Sequence, residues 1–128
     1  MVDIETTVFN SVYDAVIAVY PDADISTHYV NQPSSFPHVQ MYEESNTTNR
    51  NGMNLTGMEC FSNLVYHFEI FDNNIDGKGK ETVKAILAII DPVMRRLGFR
   101  RTYCAPVPNY DDASIYRYVV RYSKIQPN

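Results

Sequence analysis

The residues best suited to chemistry in this 128-residue chain are three histidines, two cysteines and a surplus of carboxylates over cations. Their spacing argues against a metal centre. His28, His38 and His67 fall in three separate apolar segments. They form no HxxxH or HxH pair and have no cysteine companion that would place two ligands on one ion. The run Asp72-Asn73-Asn74-Ile75-Asp76-Gly77 imitates the first half of a calcium loop, whose twelfth position must supply a bidentate carboxylate. Here that position is Val83, and a strand-like segment precedes the loop, so the run reads as an Asp-Gly turn. Gly77-Lys78-Gly79-Lys80 stands before a helix but lacks the spacing of a phosphate loop. Asp111 and Asp112 are adjacent and read as turn formers. Cys60 and Cys104 are isolated and read as small buried hydrophobes rather than a disulfide. Nothing resembles a nucleophile elbow or an activated thiol. The expectation is no catalytic residue, no metal and no cofactor.

Tyrosine is what the chain concentrates. Of its ten tyrosines, Tyr103, Tyr110, Tyr116, Tyr118 and Tyr122 cluster near the C-terminal end, beside Arg100, Arg101, Arg117 and Arg121. Tyr and Arg are enriched in interface hot spots, so this stretch is read as a partner surface.

The elements that carry these residues follow from periodicity. Val83, Ile86, Leu87, Ile90, Val93, Met94 and Leu97 recur at spacings of three and four, within an arc of about 120° on a helix. Gly98 ends that helix, and Arg95 and Arg96 suit the negative end of its dipole. Pro92 projects away from the apolar arc. Phe99 to Val107 is a short strand. Ser114 to Ile125 then alternates, with Ile115, Arg117, Val119 and Arg121 on one face and Tyr116, Tyr118, Val120 and Tyr122 on the other. The two strands should form a hairpin.

Upstream, residues 3–19 read as a first helix capped by Asp3. Ile4, Val8, Val12, Ala15, Val16 and Val19 form one stripe, which Phe9, Tyr13, Ile17 and Tyr20 widen to about 220°, against the ~100° that one core contact needs. The extra width fits either a helix wedged between the sheet and the second helix or another subunit on Phe9, Tyr13, Ile17 and Tyr20. Ile25–Val30 and Pro37–Glu43 read as strands. Glu44 to Met58 is polar and aperiodic, and reads as a long mobile loop carrying Asn46, Thr47, Arg50, Asn51 and Asn54. Cys60–Phe71 is the longest strand, with apolar residues on both faces, which suits a central strand or a buried second face. The order α-β-β-loop-β-α-β-β predicts one α+β domain over 1–128. Its architecture would be two layers, an antiparallel or mixed sheet of about four to five strands with two helices packed on one face.

The net charge of −4 disfavours a nucleic-acid grip driven by overall charge. There is no apolar run of membrane length and no basic leader, so a cytoplasmic chain without membrane contact is expected.

Phe36-Pro37-His38-Val39 with Glu43-Glu44, then Leu97-Gly98-Phe99-Arg100-Arg101-Thr102, Pro106-Val107-Pro108-Asn109 and Ile115-Tyr116-Arg117 resemble small head–tail joining proteins of long-tailed phages and prophages. These are tail-terminator-like, tail-completion or minor capsid proteins. The resemblance spans about residues 4 to 123 and rests on the order of the pieces. It implies a structural protein without catalytic residues. Such a protein forms a ring, usually a homohexamer, at the head-proximal end of the tail and can be monomeric when isolated. Its implied partners are the tail-tube protein and the head connector, and DNA passes through the lumen without specific binding. It is made in the host cytoplasm and ends in the tail or neck of the virion. Within that family a head-side connector or stopper is the nearest rival. Outside it stand a small enzyme, which would show perturbed carboxylates or histidines converging in one pocket, and a binding module, which would show exposed aromatics flanked by positive charge. Elemental analysis of the native protein should find neither calcium nor zinc near one equivalent per chain.

Overall fold

The long apolar stripe of the C-terminal half forms a helix and meets a sheet. The computed structural model describes residues 2–29, 33, 35–49, 61–73, 77–108 and 114–127. In chain order the elements are α1 (Glu5–Val19), β1 (Asp24–Ser26), β2 (His38–Thr48), β3 (Phe61–Asp72), α2 (Gly79–Arg96), β4 (Arg100–Pro106) and β5 (Tyr116–Pro127). The five strands form one mixed sheet in the order β1-β2-β3-β5-β4. β1 runs parallel to β2, and the other pairs are antiparallel. The fold is α+β, as the alternation of periods predicts.

β3 is the middle strand, and both of its faces are largely buried. It pairs with β2 on one side and with β5 along its whole length on the other. β4 and β5 do form a hairpin, but its second strand lies inside the sheet and its first strand is the edge. Alternation along β3 and β5 divides the side chains as read from the sequence. Leu64, Tyr66, Phe68 and Ile70 face the same way as Val120 and Tyr122, and all are buried. They share one core cluster with Val39 and Met41 of β2, Val8, Val12 and Val16 of α1, and Val83, Ile86, Leu87, Ile90, Val93 and Met94 of α2. Two edge-to-face contacts, Phe68 on Tyr122 and Tyr66 on Phe99, add specific geometry to that burial.

α2 stops as its sequence demands. Gly98 has φ +90°. The Phe99 N–H donates to Met94 O at 2.9 Å and the Gly98 N–H to Arg95 O at 3.0 Å, the paired bonds of a Schellman cap. Lys124 Nζ donates to Leu97 O at 2.7 Å, a cation on the carbonyl end of the helix. Pro92 is exposed within α2, on the solvent side as its position opposite the apolar arc predicts. At the other helix, Asp3 accepts the Glu5 N–H at 3.1 Å, which satisfies one free donor of the first turn.

Several expectations are corrected. Glu44 to Thr48, including Asn46 and Thr47, continues β2 across a bulge between Glu43 and Ser45 and pairs with Ser62 to Val65. Its polar side chains hid a strand whose backbone is satisfied by β3 rather than by any apolar face of its own. Arg50, Asn51 and Asn54 lie outside the described residues, as do Cys60, Asp111 and Asp112. β1 ends at Ser26, so His28 is exposed beyond it. Cys104 is free and half-buried rather than buried. Val19 is 59% exposed, because α1 buries only Val8, Val12 and Val16 fully.

Replacing Gly98 by alanine tests the cap. A Cβ there stands 3.1 Å from Lys124 Cε, on a backbone that L-residues avoid. Gly98→Ala should lower the unfolding free energy by about 1–2 kcal/mol in urea titration.

Candidate functional site

The second face of the sheet, opposite the apolar cluster, is built mainly from polar residues arranged in cross-strand rungs. His38, Phe71 and Arg117 form one rung, Gln40, Glu69 and Val119 the next, and Tyr42, His67 and Arg121 the third. Side chains of one rung are neighbours on the pleat, so their chemistry converges.

Glu69 is the centre of this face and is 1% exposed. A buried carboxylate needs a cation and filled lone pairs. Arg117 Nε donates to its Oε1 at 2.8 Å, and Arg117 Nη2 donates to the same oxygen. Gln40 Nε2 donates to Oε2. His67 Nε2 is 3.9 Å from Oε1. Burial alone would raise the Glu69 carboxyl, but the nearby His67 ring and the hydrogen bonds and charge of Arg117 outweigh it and hold the carboxyl below its ordinary range.

The third rung extends the network outward. Tyr42 stacks on His67 with ring centroids 4.9 Å apart. His67 Nδ1 is 3.3 Å from Glu44, an electrostatic contact without the alignment of a hydrogen bond. Arg121 Nε donates to Glu44 at 3.0 Å and its guanidinium lies 5.0 Å from the Tyr103 ring centre. On the first rung, His38 Nδ1 meets Asp24 at 2.9 Å, and His38 Nε2 is buried with no hydrogen-bond partner among the described residues.

A second constellation lies where α2 ends against β4 and β5. Asp91 accepts from Tyr122 Oη at 2.9 Å, Arg101 Nη1 at 3.2 Å and Arg95 Nη2 at 2.8 Å. These residues with Phe99 and Arg100 line an open cleft of about 330 Å³. Burial, then the hydrogen bond to Asp91 and its charge, push the Tyr122 phenol well above its usual range, so it remains a donor. The second cleft, about 450 Å³, runs past Asn63, Gly98, Arg100 and Lys124. Glu69, His67 and His38 line neither cleft. Among the described residues no group of three or more His, Cys, Asp or Glu side chains is placed to hold a metal ion. The twelfth position of the calcium-like loop, Val83, is fully buried in the core.

The residues read as an interface separate into three groups. Tyr13 and Tyr103 are about two-fifths exposed, and Arg100 and Arg101 are exposed as well. Phe9, Tyr20, Tyr116 and Tyr118 are partly buried against the core cluster, and Ile17 is half-buried. Arg117 is a structural ion-pair partner, which removes it from the solvent-facing set, while Arg121 is shared between Glu44 and Tyr103. Tyr110 lies outside the described residues. The sequence reading missed Glu69 and Asp91. A lone carboxylate in the apolar strand 64–71 was the signal for the first, since such a group demands a buried partner. Nothing in the local sequence of α2 marks Asp91. Comparison with protein-family models and with curated proteins gave no match.

Removing the cation isolates the Glu69 effect. Arg117→Met should cost about 3–5 kcal/mol at pH 7, and adding Glu69→Gln should recover most of it. The pH dependence has a definite sign. With its carboxyl depressed, Glu69 stabilises the native protein above its unfolded value near 4.5, and that stability is lost as pH falls through the folded value. In Arg117→Met the unpaired carboxyl prefers its proton. The gap between the two proteins in urea titration should therefore narrow from pH 7 to pH 4.

Proposed function

We propose that this chain is a structural subunit of a long-tailed phage or prophage. It would form a ring, of six copies by the family pattern, at the head-proximal end of the tail, ending growth of the tube and joining it to the head connector. The observation that carries this reading is the lateral edge of the sheet. β4 pairs only with β5 among the described residues, and Arg100, Arg101 and Tyr103 along it are exposed. An uncovered edge strand is the element by which a sheet is continued by another chain. The order of motifs from Phe36-Pro37 to Tyr116-Arg117 adds the family resemblance. Tyr13, in ring contact with Phe9 at 5.9 Å, supplies an exposed aromatic on α1. No helix among the described residues is long and apolar enough to cross a membrane, which is consistent with a virion protein. A role without catalysis, metal or cofactor fits an ionic network whose carboxylate is already fully paired.

The test is complementation of a phage lacking the gene. Tyr13→Asp and Ile17→Asp should fold, yet yield tails of abnormal length that fail to join heads, because an unpaired carboxylate in a contact costs several kcal/mol. Normal tails from both folded variants would remove the outer side of α1 from the assembly surface.

A further inference from the structure

The two lateral ends of one rung of the sheet carry opposite charge. Glu43 of β2 aligns with Tyr66 of β3, Tyr66 with Tyr122 of β5, and Tyr122 with Arg101 of β4. Three strand spacings separate the ends, about 14 Å. Both end residues belong to the face that carries the apolar cluster.

At the β2 end the carboxylates crowd together. The Glu5 carboxylate accepts the Glu43 N–H at 2.9 Å, bringing the start of α1 onto the β2 edge. Asn46 Nδ2 fastens the same corner to Val2 O at 2.7 Å. The Glu43 carboxylate is held by Tyr66 Oη at 3.4 Å and Asn46 at 3.3 Å, both neutral, and has no cation among the described residues. Burial first, then Asp3 and Glu5, raise its carboxyl, as expected where negative charge lacks a counterion.

At the β4 end the balance is reversed. Among the described residues Asp91 is the one carboxylate lining the cleft, against Arg95, Arg100 and Arg101. It uses one oxygen for Arg101 and the other for Arg95, so both guanidinia are held at the cleft rather than left to wander. Arg100 is exposed and has no ion-pair partner among the described residues. The helix dipoles account for Glu5 and Arg95 at their own helix ends. They do not account for Glu43, Arg100 and Arg101, which lie on strands.

We propose that the arginine-lined cleft at the end of α2 receives the acidic corner of Asp3, Glu5 and Glu43 from a second copy of this chain. The inference rests on the reading of the chain as a ring subunit and names the contact. Because the two surfaces differ and lie at opposite ends of one sheet direction, the contact is head-to-tail and repeats from copy to copy, which is the geometry that closes rings. The Glu5 carboxylate already occupies the Glu43 N–H, so at that point the contact is made by side chains in the cleft rather than by a continuous ladder.

Sedimentation velocity on the full chain, up to millimolar concentration, reads the contact directly. The wild type should associate at about 20 mM salt and dissociate near 0.5 M, as screening shortens the range of these charges. Arg100→Glu and Glu43→Lys should each weaken association roughly tenfold or more, and the two combined in one chain should restore most of it. Glu43→Gln, which keeps an acceptor for Tyr66, serves as the milder variant if Glu43→Lys melts early. A wild type that stays monomeric at low salt, single variants that associate normally, or a folded double variant no better than either single one would overturn the proposal. If association behaves as expected but complementation shows no effect of the chain on tails, the contact stands and the virion reading fails.

Discussion

A carboxylate at the centre of the sheet sets the terms for everything around it. Glu69 sits on the middle strand at a position that the flanking strands bury. Left alone it would take up a proton or disrupt the strand. Arg117 must therefore come from β5, and Gln40 from β2, so the strands on both sides of β3 are held in register by one group. A slip of one residue in either strand would turn its partner to the opposite face and orphan the charge. The apolar cluster supplies most of the burial free energy, but aliphatic side chains tolerate re-registration far better than a buried ion pair does. Register specificity is thus where the polar face acts.

The two faces of the sheet consequently do different work. One carries the apolar cluster, joined by residues of both helices, and two edge-to-face aromatic pairs. The other carries stacked rungs of histidine, tyrosine, arginine and glutamate. Most of its groups already have partners within the chain, and a satisfied network rigidifies more readily than it reacts. The contacts proposed above fall at the lateral ends. There, β4 lacks a second neighbour among the described residues, and the α1 start lies across β2 near Glu43. Covering one edge with a carboxylate while leaving the other lined by arginine is also a way to keep edges from pairing indiscriminately.

The charge layout refines what the net value implies. A chain of net charge −4 is acidic only on average. Arg95, Arg96, Arg100 and Arg101 lie within a few residues of the α2–β4 junction, whereas Asp3, Glu5 and Glu43 meet at the far side of the same face. In the proposed contact such a dipolar surface would set the relative orientation of two copies more than it would raise affinity, because exposed ion pairs are individually weak.

The sequence by itself determined the elements whose side chains carry their own period. The stripe from Val83 to Leu97, the stop at Gly98, the two faces of 64–71 and the alternation of 116–122 were all legible, because burial on one side leaves a repeat of 3.6 or 2 in the residue types. The α+β class followed from their order. Where the backbone alone is satisfied, no such repeat exists, and Glu44 to Thr48 read as loop although β3 pairs with it. Tertiary structure decided three further things. It placed β5 inside the sheet and β4 at the edge, since hairpin pairing is silent about which strand finds a second neighbour. It turned Arg117 from a surface cation into the counterion of Glu69, forty-eight residues away. It also brought Asp91 of α2 to Tyr122 and Arg101, and set Glu43 and Arg101 at opposite ends of one rung. Each of these joins groups distant in sequence, and electrostatic partnership depends on separation in space, which no local pattern of residue types encodes.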